Sequence, residues 1–425
     1  MNEDKLAIAG GEKIIAKLPP LYRSLGKEEF EAAKAVVETG VLSSFLGTWS
    51  PEFYGGEKVQ KFEQCVKDYF GVKHAITVNS WTSGLIAAVG AIGIEPGDEI
   101  IVTPWTMCAT ATSILIWNAI PVFADIDERS FNLDPASIEQ NITKRTRAIM
   151  IADIFGQSAD MDKIMAIAKK YDLKVISDTA QAPNAIYKGR YAGTIADIGG
   201  FSLNYHKHIH TGEGGVLVTD NDEYADRLCL IRNHAEAVVG DKGVSNLVNM
   251  LGFNFRLGEI EAAIGIEQLK KLNSYTYKRQ ELADRLTNGL NELDGLTVPF
   301  VEEDSSHVYY IYALIYDEKK TGVSRDKVYK ALVSEGVPIS DRYSNVHLLP
   351  LFQQRIAYGS KGFPWNSDIY TGSVSYDKGI CPVAEKMNDS AYLGIPLCAY
   401  DFSPDDMDLI VKAFIKVWES VIKNV

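Results

Sequence analysis

The 425-residue chain lacks the features that mark membrane-spanning, secreted or nucleic-acid-binding proteins. No apolar run approaches the length of about eighteen residues that a membrane span requires. Basic residues (43) are fewer than acidic residues (56), and the net charge of −13 argues against nucleic acid or an anionic membrane as a partner. The first eleven residues have no basic start followed by an apolar run, so we expect no secretory signal.

Cysteine is also scarce, and its spacing excludes a disulfide framework or a CxxC metal site. The five cysteines are Cys65, Cys108, Cys229, Cys381 and Cys398. Scattered free thiols are typical of a reducing compartment, so we expect a cytoplasmic protein. Apolar residues (46%) and charged residues (23%) are near globular averages, which excludes a disordered or fibrous chain.

Residues 74–220 alternate short apolar runs with segments of helical periodicity. The runs are rich in Val and Ile and lack polar alternation, as expected for strands buried on both faces. They are His74–Ser80, Glu99–Thr103, Pro121–Asp127, Arg147–Ile154, Leu173–Asp178, Ile198–Asn204 and Gly215–Asp220. Asp160–Tyr171 has one apolar helical face. This alternation predicts a three-layer α/β domain with a mainly parallel sheet.

The pattern changes after Asp220 and predicts a smaller α+β C-terminal domain. The predicted elements are a helix over Asn254–Leu272 that continues through Tyr275–Leu293, a strand over Val308–Tyr316, a helix over Lys327–Glu335 and a last helix capped by Ser403. A helix over Lys27–Glu38 is expected to pack against this domain. We therefore divide the chain into an N-terminal segment (1–40), a large domain (41–275) and a small domain (276–425).

Two segments at predicted strand ends carry residues suited to chemistry. Asp178 ends an apolar strand, and ligands in such sheets bind outside the carboxyl ends of strands; the alternative is an aspartate that caps a loop. Lys207 has little competing charge nearby, so desolvation can make its amine a nucleophile. The hydroxyl of Ser202, five residues earlier, is placed to donate to an anion.

Two further patterns are open to more than one interpretation. His206, His208 and His210 alternate and would face one side of a strand, where three imidazoles can hold zinc. A glycine-rich turn follows them, however, which favours a loop without metal. The turn Asn79–Gly84 precedes a helix, and such a turn offers hydroxyls and free N–H groups to a phosphate.

Several segments in a fixed order resemble the DegT/DnrJ/EryC1/StrS family of sugar aminotransferases, which depend on pyridoxal 5'-phosphate (PLP). The matching segments are Gly55–Val59 through Glu63, Pro96–Val102, Pro121–Asp127, Phe155–Asp162, Thr211–Gly215 and Gly252–Leu257 with Glu259 and Ala262–Ala263. The resemblance implies the aspartate aminotransferase fold (fold type I), with a seven-stranded, mostly parallel sheet in the large domain.

The resemblance also implies roles for individual residues. Lys207 would form the Schiff base with PLP and shuttle a proton, while Asp178 would pair with the pyridine nitrogen. The implied cofactor contacts are Ser80, Trp81, Thr82, Met107, Asp178, Gln181, Ser202, Lys207 and Asn254. Asn254 would reach the phosphate from a neighbouring subunit, so a homodimer with shared active sites is expected. No metal is implied.

Three positions depart from the family pattern. Trp81 replaces a glycine, so it either reshapes the phosphate turn, lines the substrate cleft or packs in the core. Met107 stands where an aromatic ring commonly covers the cofactor, and Trp105 lies two residues before it. Asp153 stands where histidine is common. Some family members have histidine at the position of the Schiff-base lysine. Here that position is Lys207, which favours transamination. An alignment shifted by one residue would place His206 or His208 there instead.

The expected reaction moves an amino group from an amino acid, L-glutamate, through pyridoxamine phosphate to a nucleotide-linked keto-deoxysugar. A keto-cyclitol (inosose) acceptor or an aminohydroxybenzoate-type synthase is the main alternative. A PLP-binding sensor without catalysis and a metal-dependent enzyme are two further hypotheses. Residues proposed for the substrate cleft are Trp49, Tyr54, Trp81, Arg342, Tyr343 and His347.

Overall fold

The Val- and Ile-rich runs form one central sheet in the computed structural model, which describes residues 5–422. The strands are β1 (His74–Val78), β2 (Glu99–Val102), β3 (Ile120–Phe123), β4 (Thr146–Ala152), β5 (Lys174–Asp178), β6 (Ile186–Tyr187), β7 (Arg190–Tyr191), β8 (Ile198–Ser202), β9 (Gly215–Thr219), β10 (Leu296–Thr297), β11 (Tyr312–Tyr316) and β12 (Tyr392–Ile395). Each of the runs predicted as strands overlaps one of these elements.

Helices surround the sheet and build most of the C-terminal part. They are α1 (Lys27–Thr39), α2 (Glu57–Phe70), α3 (Trp81–Ala91), α4 (Cys108–Ile116), α5 (Pro135–Gln140), α6 (Met161–Tyr171), α7 (Asp222–Arg232), α8 (Ala235–Lys242), α9 (Glu259–Leu290), α10 (Glu318–Thr321), α11 (Arg325–Ser334), α12 (Pro350–Gln354), α13 (Pro382–Lys386) and α14 (Pro404–Val417). Short 3-10 helices lie at Ala7–Ala9, Pro51–Tyr54, Ile154–Gly156 and Val346–Leu348, and π-helical turns at Met387–Ala391 and Trp418–Ile422. Within residues 5–422, no helix is long and apolar enough to cross a bilayer.

The central sheet has the strand order β1-β9-β8-β5-β4-β2-β3. Strand β9 runs antiparallel to both of its neighbours, and the other pairs are parallel. Because β9 reverses direction between β1 and β8, all strands except β9 point the same way. The carboxyl ends of β1, β2, β4, β5 and β8 therefore lie along one edge, where ligands bind in such sheets.

Helices cover both faces of this sheet because successive strand side chains point to opposite faces. Ile100 and Val102 pack with α3, α4 and α7, whereas Ile101 packs on the other face with α6. Helices α2 and α9 cover the β1, β8 and β9 region of that second face. The prediction of a three-layer α/β domain with a mostly parallel seven-stranded sheet is confirmed.

The C-terminal part has its own antiparallel sheet, β10-β11-β12, and its own apolar core. Helices α11 and α14 and the end of α9 supply the rest of that core. Helix α9 begins five residues later than predicted, because Asn254 pairs with Asn233 as an isolated bridge and extended Gly258 is the N-cap. The helix then runs to Leu290, so the domain boundary predicted at residue 275 lies inside it, and the division remains a prediction. Residues 1–4 and 423–425 of that division lie outside the described chain.

The N-terminal segment touches both parts of the molecule. Ile15 packs in the C-terminal core, and Tyr22 bonds the backbone of Ala399. Helix α1 packs on α9, which crosses the predicted domain boundary at residue 275, so the packing of this helix on the small domain stays a prediction. On the first half of α9, Lys271 pairs with Glu29, and the Nε2 amide of Gln268 donates to the Oε1 carboxylate oxygen of Glu29 at 2.7 Å.

The N-cap of α14 provides a test of the C-terminal part. The hydroxyl of Ser403 accepts from the backbone N–H of Asp406, and the Asp406 carboxylate accepts from the backbone N–H of Ser403. Ser403→Ala removes one partner of this capping box and should lower the free energy of unfolding by about 1 kcal/mol. Urea denaturation measures the change. Ser274→Ala on the exposed face of α9 is the matched control and should be neutral; an unchanged Ser403→Ala variant would contradict the capping role.

Candidate active site

A cavity of about 150 Å³ opens at the carboxyl edge of the central sheet. Side chains following β1, β2, β4, β5 and β8 line it, as the common direction of these strands requires. Eight of the nine residues predicted to contact the cofactor are among the lining residues: Ser80, Trp81, Thr82, Met107, Asp178, Gln181, Ser202 and Lys207. Asn254 does not line the cavity of its own chain and instead lies beside Asn79, whose side-chain amide donates to its carbonyl at 3.2 Å.

Asp178 is buried at the end of β5, and three donors fix its carboxylate. The indole Nε1 of Trp81 donates to Oδ1 at 2.6 Å, and the backbone N–H of Ala180 donates to the same oxygen at 3.2 Å. The hydroxyl of Thr110 donates to Oδ2 at 2.7 Å. A carboxylate offers about four acceptor positions, so one position on Oδ2 remains.

Lys207 is 8% exposed and brings its amine into the same cavity. The amine makes no hydrogen bond to any residue the structure describes; instead Nζ lies 4.5 Å from the ring centroid of Tyr310. Burial lowers the pKa of Lys207 to about 8, although the negative charge of Asp178 acts in the opposite direction. An amine with this pKa is partly neutral near physiological pH, so it can act as a nucleophile or a base.

The neighbouring histidines face different surroundings. His206 lines the cavity, and burial together with Lys207 lowers its pKa to about 4. His208 is fully buried, and its Nε2–H donates to the carbonyl of Val308 at 2.8 Å. His210 accepts from the N–H of Gly212 through Nδ1. The three imidazoles therefore do not converge, and residues 5–422 contain no group of three or more side chains spaced to hold a metal.

The turn after β1 presents unpaired donors to the cavity. Ser80 is the N-cap of α3, and its hydroxyl accepts from the N–H of Ser83 at 3.1 Å. Within the described chain, neither the backbone N–H nor the hydroxyl of Thr82 has a protein partner. Ser202, across the cavity, is buried. Hydroxyls and free N–H groups at a helix N-terminus suit an anion such as a phosphate.

Gln181 is fixed between two partners. Its carbonyl accepts from the N–H of Phe155 at 2.9 Å, and its amide donates to the hydroxyl of Tyr343 at 2.9 Å. Met107 is 58% exposed and lines the cavity, whereas Trp105 is fully buried and stacks on Phe131. The thioether rather than the indole is therefore the side chain near the ligand position.

Asp153, for which the sequence suggested no role, supports the strand that carries Asp178. Its backbone N–H donates to the carbonyl of Asp178, and its buried carboxylate accepts from the hydroxyls of Ser177 and Thr179 and from the N–H of Ala159. Burial raises the pKa of Asp153 to about 6. This carboxyl group holds the turns after β4 and β5 together.

Most residues proposed for the substrate cleft do not line the cavity. His347 is fully buried, is paired with Glu385 and does not line the cavity. Arg342 is exposed beside Asp341, and Tyr343 acts through Gln181. Trp49 and Tyr54 meet edge to face in an aromatic cluster outside the cavity. Trp81 lines the cavity but points its indole at Asp178.

Two residues near the chemistry had no usable sequence signal. Thr110 lies in α4, where a hydroxyl is unremarkable until the helix packs against β5. Tyr310 precedes β11 in the C-terminal part and reaches Lys207 only through the fold. Both residues are far in sequence from the groups they contact, and Tyr310 is more than a hundred residues from Lys207.

Comparisons with known proteins identify the family and the fold of the chain. The sequence model that describes the DegT/DnrJ/EryC1/StrS aminotransferase family matches residues 39–389. The chain belongs to this family. The spore coat polysaccharide biosynthesis protein SpsC of Bacillus subtilis (strain 168) is 37% identical over 365 residues, which cover 84% of this chain and 91% of the relative.

Two other relatives match over almost the whole chain. A putative L-glutamine:3-amino-2,3-dideoxy-scyllo-inosose aminotransferase of Micromonospora echinospora is 30% identical over 424 residues, 98% of each protein. The X-ray structure of an aminotransferase from Psychrobacter cryohalolentis has a TM-score of 0.80 at 27% identity, with 95% of this chain and 100% of that chain covered. The fold type I prediction is confirmed.

The protein is thus a PLP-dependent aminotransferase, and its cavity fits the cofactor. Asp178 keeps one acceptor position, the Lys207 amine has no hydrogen bond, and Thr82 has free donors. The Oδ1 atom of Asn204, also at the cavity, is buried without a partner among the described residues. A ligand with a basic ring nitrogen, an aldehyde carbon and a phosphate complements this donor and acceptor set.

The pKa of Lys207 provides a direct test in the cofactor-free protein. Only the neutral amine reacts with acetic anhydride, so the labelling rate of Lys207 should rise with pH through a midpoint of about 8, against about 10.4 for an ordinary lysine. Competitive labelling read by mass spectrometry gives the midpoint. Exposed Lys378 is the internal control, and a Lys207 midpoint above 10 would contradict the effect of burial.

Proposed function

We propose that this aminotransferase moves an amino group from L-glutamate or L-glutamine to a nucleotide-linked keto-deoxysugar. The observation that carries the proposal is that Lys207 and Asp178 line one cavity in a chain of the aminotransferase family. SpsC, named for polysaccharide biosynthesis, supports a sugar acceptor. The name of the Micromonospora relative supports L-glutamine as a second donor to test beside L-glutamate.

Some residues of the cavity would hold the cofactor, and Lys207 would transfer the proton. When bound, PLP supplies an electron sink for charge that develops at the substrate carbon. Asp178 would accept from the ring nitrogen through the remaining position on Oδ2, and Thr82 and Ser202 would hold the phosphate. Lys207 would take and return the proton at Nζ, for which a pKa of about 8 is well suited. The ring of Tyr310 holds the amine in place and stabilises its charged form.

An inosose acceptor is the second candidate. It is supported by the match to the Micromonospora protein over 98% of both chains, whereas SpsC covers 84% of this chain. The residues near the cavity do not favour either acceptor, because sugar and cyclitol both present hydroxyl groups around one ketone. Kinetic measurements with each acceptor are therefore needed to distinguish a sugar from a cyclitol substrate.

A half-reaction with each donor, followed by each acceptor, tests the function. Lys207→Ala should lower turnover at least about 1000-fold and abolish the visible absorbance of the lysine-bound cofactor. Lys378→Ala, at an exposed ion pair, is the matched control and should behave as wild type.

The acceptor is assigned from kcat/KM for a nucleotide-linked 4-keto-6-deoxyhexose, its 3-keto isomer and scyllo-inosose. A preference for either nucleotide sugar supports the proposal, and a preference for inosose selects the alternative. PLP binding without amine exchange from either donor would contradict the proposal and identify a sensor.

We also infer that the protein works as a cytoplasmic homodimer with shared active sites. Its five cysteines are free thiols, which are typical of a reducing compartment. Large apolar side chains close to Asn254 in sequence are exposed, among them Leu247 and Leu251, and Met107 is exposed at the cavity. Burial of such side chains against a second copy would bring Asn254 to the partner's cavity, since it does not line its own.

Mixed dimers test this sharing. Lys207→Ala and Asn254→Ala should each be weakly active at limiting PLP, because one lacks the amine and the other the partner's phosphate contact. After the two are mixed and allowed to exchange subunits, each hybrid dimer holds one intact site, so about a quarter of wild-type activity should return. Analytical ultracentrifugation confirms the dimer. Absence of recovery in a proven hybrid would contradict sharing.

A further inference from the structure

The indole of Trp81 occupies a position that the family pattern gives to glycine, and it makes a contact no glycine can make. Its side chain is buried, and Nε1 donates to Oδ1 of Asp178 at 2.6 Å. An N–H bonded to a carboxylate is a charge-assisted hydrogen bond, about twice as strong as a neutral one. Trp81 is therefore connected to the acid of the active site rather than to the substrate.

The other donors to Asp178 determine what this bond achieves. Ala180 and Trp81 occupy both acceptor positions of Oδ1, while Thr110 occupies one position of Oδ2. The remaining position of Oδ2 is the one available to a ligand in the cavity. Without the indole, Oδ1 would have a vacant position, and the carboxylate could rotate to offer either oxygen.

Glycines on two neighbouring elements make room for the indole and hold it in place. A Cβ atom at Gly200 would lie 2.5 Å from ring carbons of Trp81, and one at Gly84 would lie 2.8 Å from another. Both distances are shorter than van der Waals contact. The ring is thus enclosed between β8 and its own helix α3, and its N–H has one direction, toward Asp178.

We propose that Trp81 is a positioning residue, whose indole N–H fixes the Asp178 carboxylate so that Oδ2 faces the pyridine nitrogen of PLP. An indole N–H can only donate, so it fills an acceptor position on Oδ1 and leaves the remaining acceptor position on Oδ2 for the ring nitrogen. This inference rests on the proposed function, because it concerns the partner of the cofactor ring. It assigns Trp81 a role distinct from phosphate binding and from the substrate cleft.

Trp81→Phe keeps an aromatic ring and removes the donor. Its dissociation constant for PLP should rise about tenfold, since a hydrogen bond to a charged group contributes roughly that much. With ¹⁵N-labelled PLP, the NMR signal of the ring nitrogen in the wild type should show the protonated form at pH 8. In Trp81→Phe a substantial fraction should shift to the unprotonated form.

Trp117→Phe is the matched control. Trp117 is also buried and donates from Nε1, to the carbonyl of Ile86 at 2.7 Å, but it does not line the cavity. This variant should lose stability while its PLP affinity and ring-nitrogen signal stay as in the wild type. If Trp81→Phe fails to fold, benzothienylalanine at position 81 replaces the N–H by sulfur in a ring of nearly the same shape, and the same shift is expected.

The outcomes separate this inference from the proposed function. A wild-type protein that binds no PLP overturns the proposed function. A wild-type protein that binds PLP, with a Trp81→Phe variant of equal affinity and an equally protonated ring nitrogen, overturns the positioning role alone. Equal losses in Trp81→Phe and Trp117→Phe would assign the effect to packing and would also overturn it.

Discussion

The hydrogen bonding of one buried carboxylate, Asp178, is the constraint on which the active site depends. Its position follows from the sheet, because β5 lies between β4 and β8 and ends where their carboxyl ends meet. Its orientation follows from the donors of Trp81, Thr110 and Ala180, which come from two helices and a turn. A carboxylate taken out of water needs such partners. Here their number leaves one acceptor position for a ligand.

The same cavity balances opposing effects on Lys207. Burial disfavours the charged amine, whereas the ring of Tyr310 and the charge of Asp178 favour it. The result is an amine that changes charge near physiological pH without a direct ion pair. His206 and His208 flank it in sequence, but one lies at the cavity and the other bonds the backbone of Val308. The loop after β8 thus presents both Lys207 and His206 to the cavity, and burial lowers the pKa of His206 to about 4.

Local patterns predicted the sheet and marked Asp178 and Lys207 as candidates for chemistry. Uniform apolar runs predicted buried parallel strands. The place of Asp178 at a strand end allowed either a cofactor partner or a loop cap, and the family resemblance supplied the roles of both Asp178 and Lys207. Long-range packing was not predictable in this way. Thr110 and Tyr310 reach the site only through the fold. His347 is buried and bonded to Glu385. Helix α1 packs on α9, where Gln268 and Lys271 bind Glu29, and no local pattern pointed to these partners.

The central claim is that the free acceptor position of Asp178 and the amine of Lys207 face the same PLP molecule. A crystal structure of the protein with PLP bound tests it most directly. We expect Oδ2 of Asp178 to lie about 2.8 Å from the pyridine nitrogen, with Trp81 and Thr110 still bonded to the carboxylate and Lys207 Nζ at the C4′ carbon of the cofactor. A structure in which PLP meets neither side chain, or in which Lys207 points away from the cavity, would contradict it.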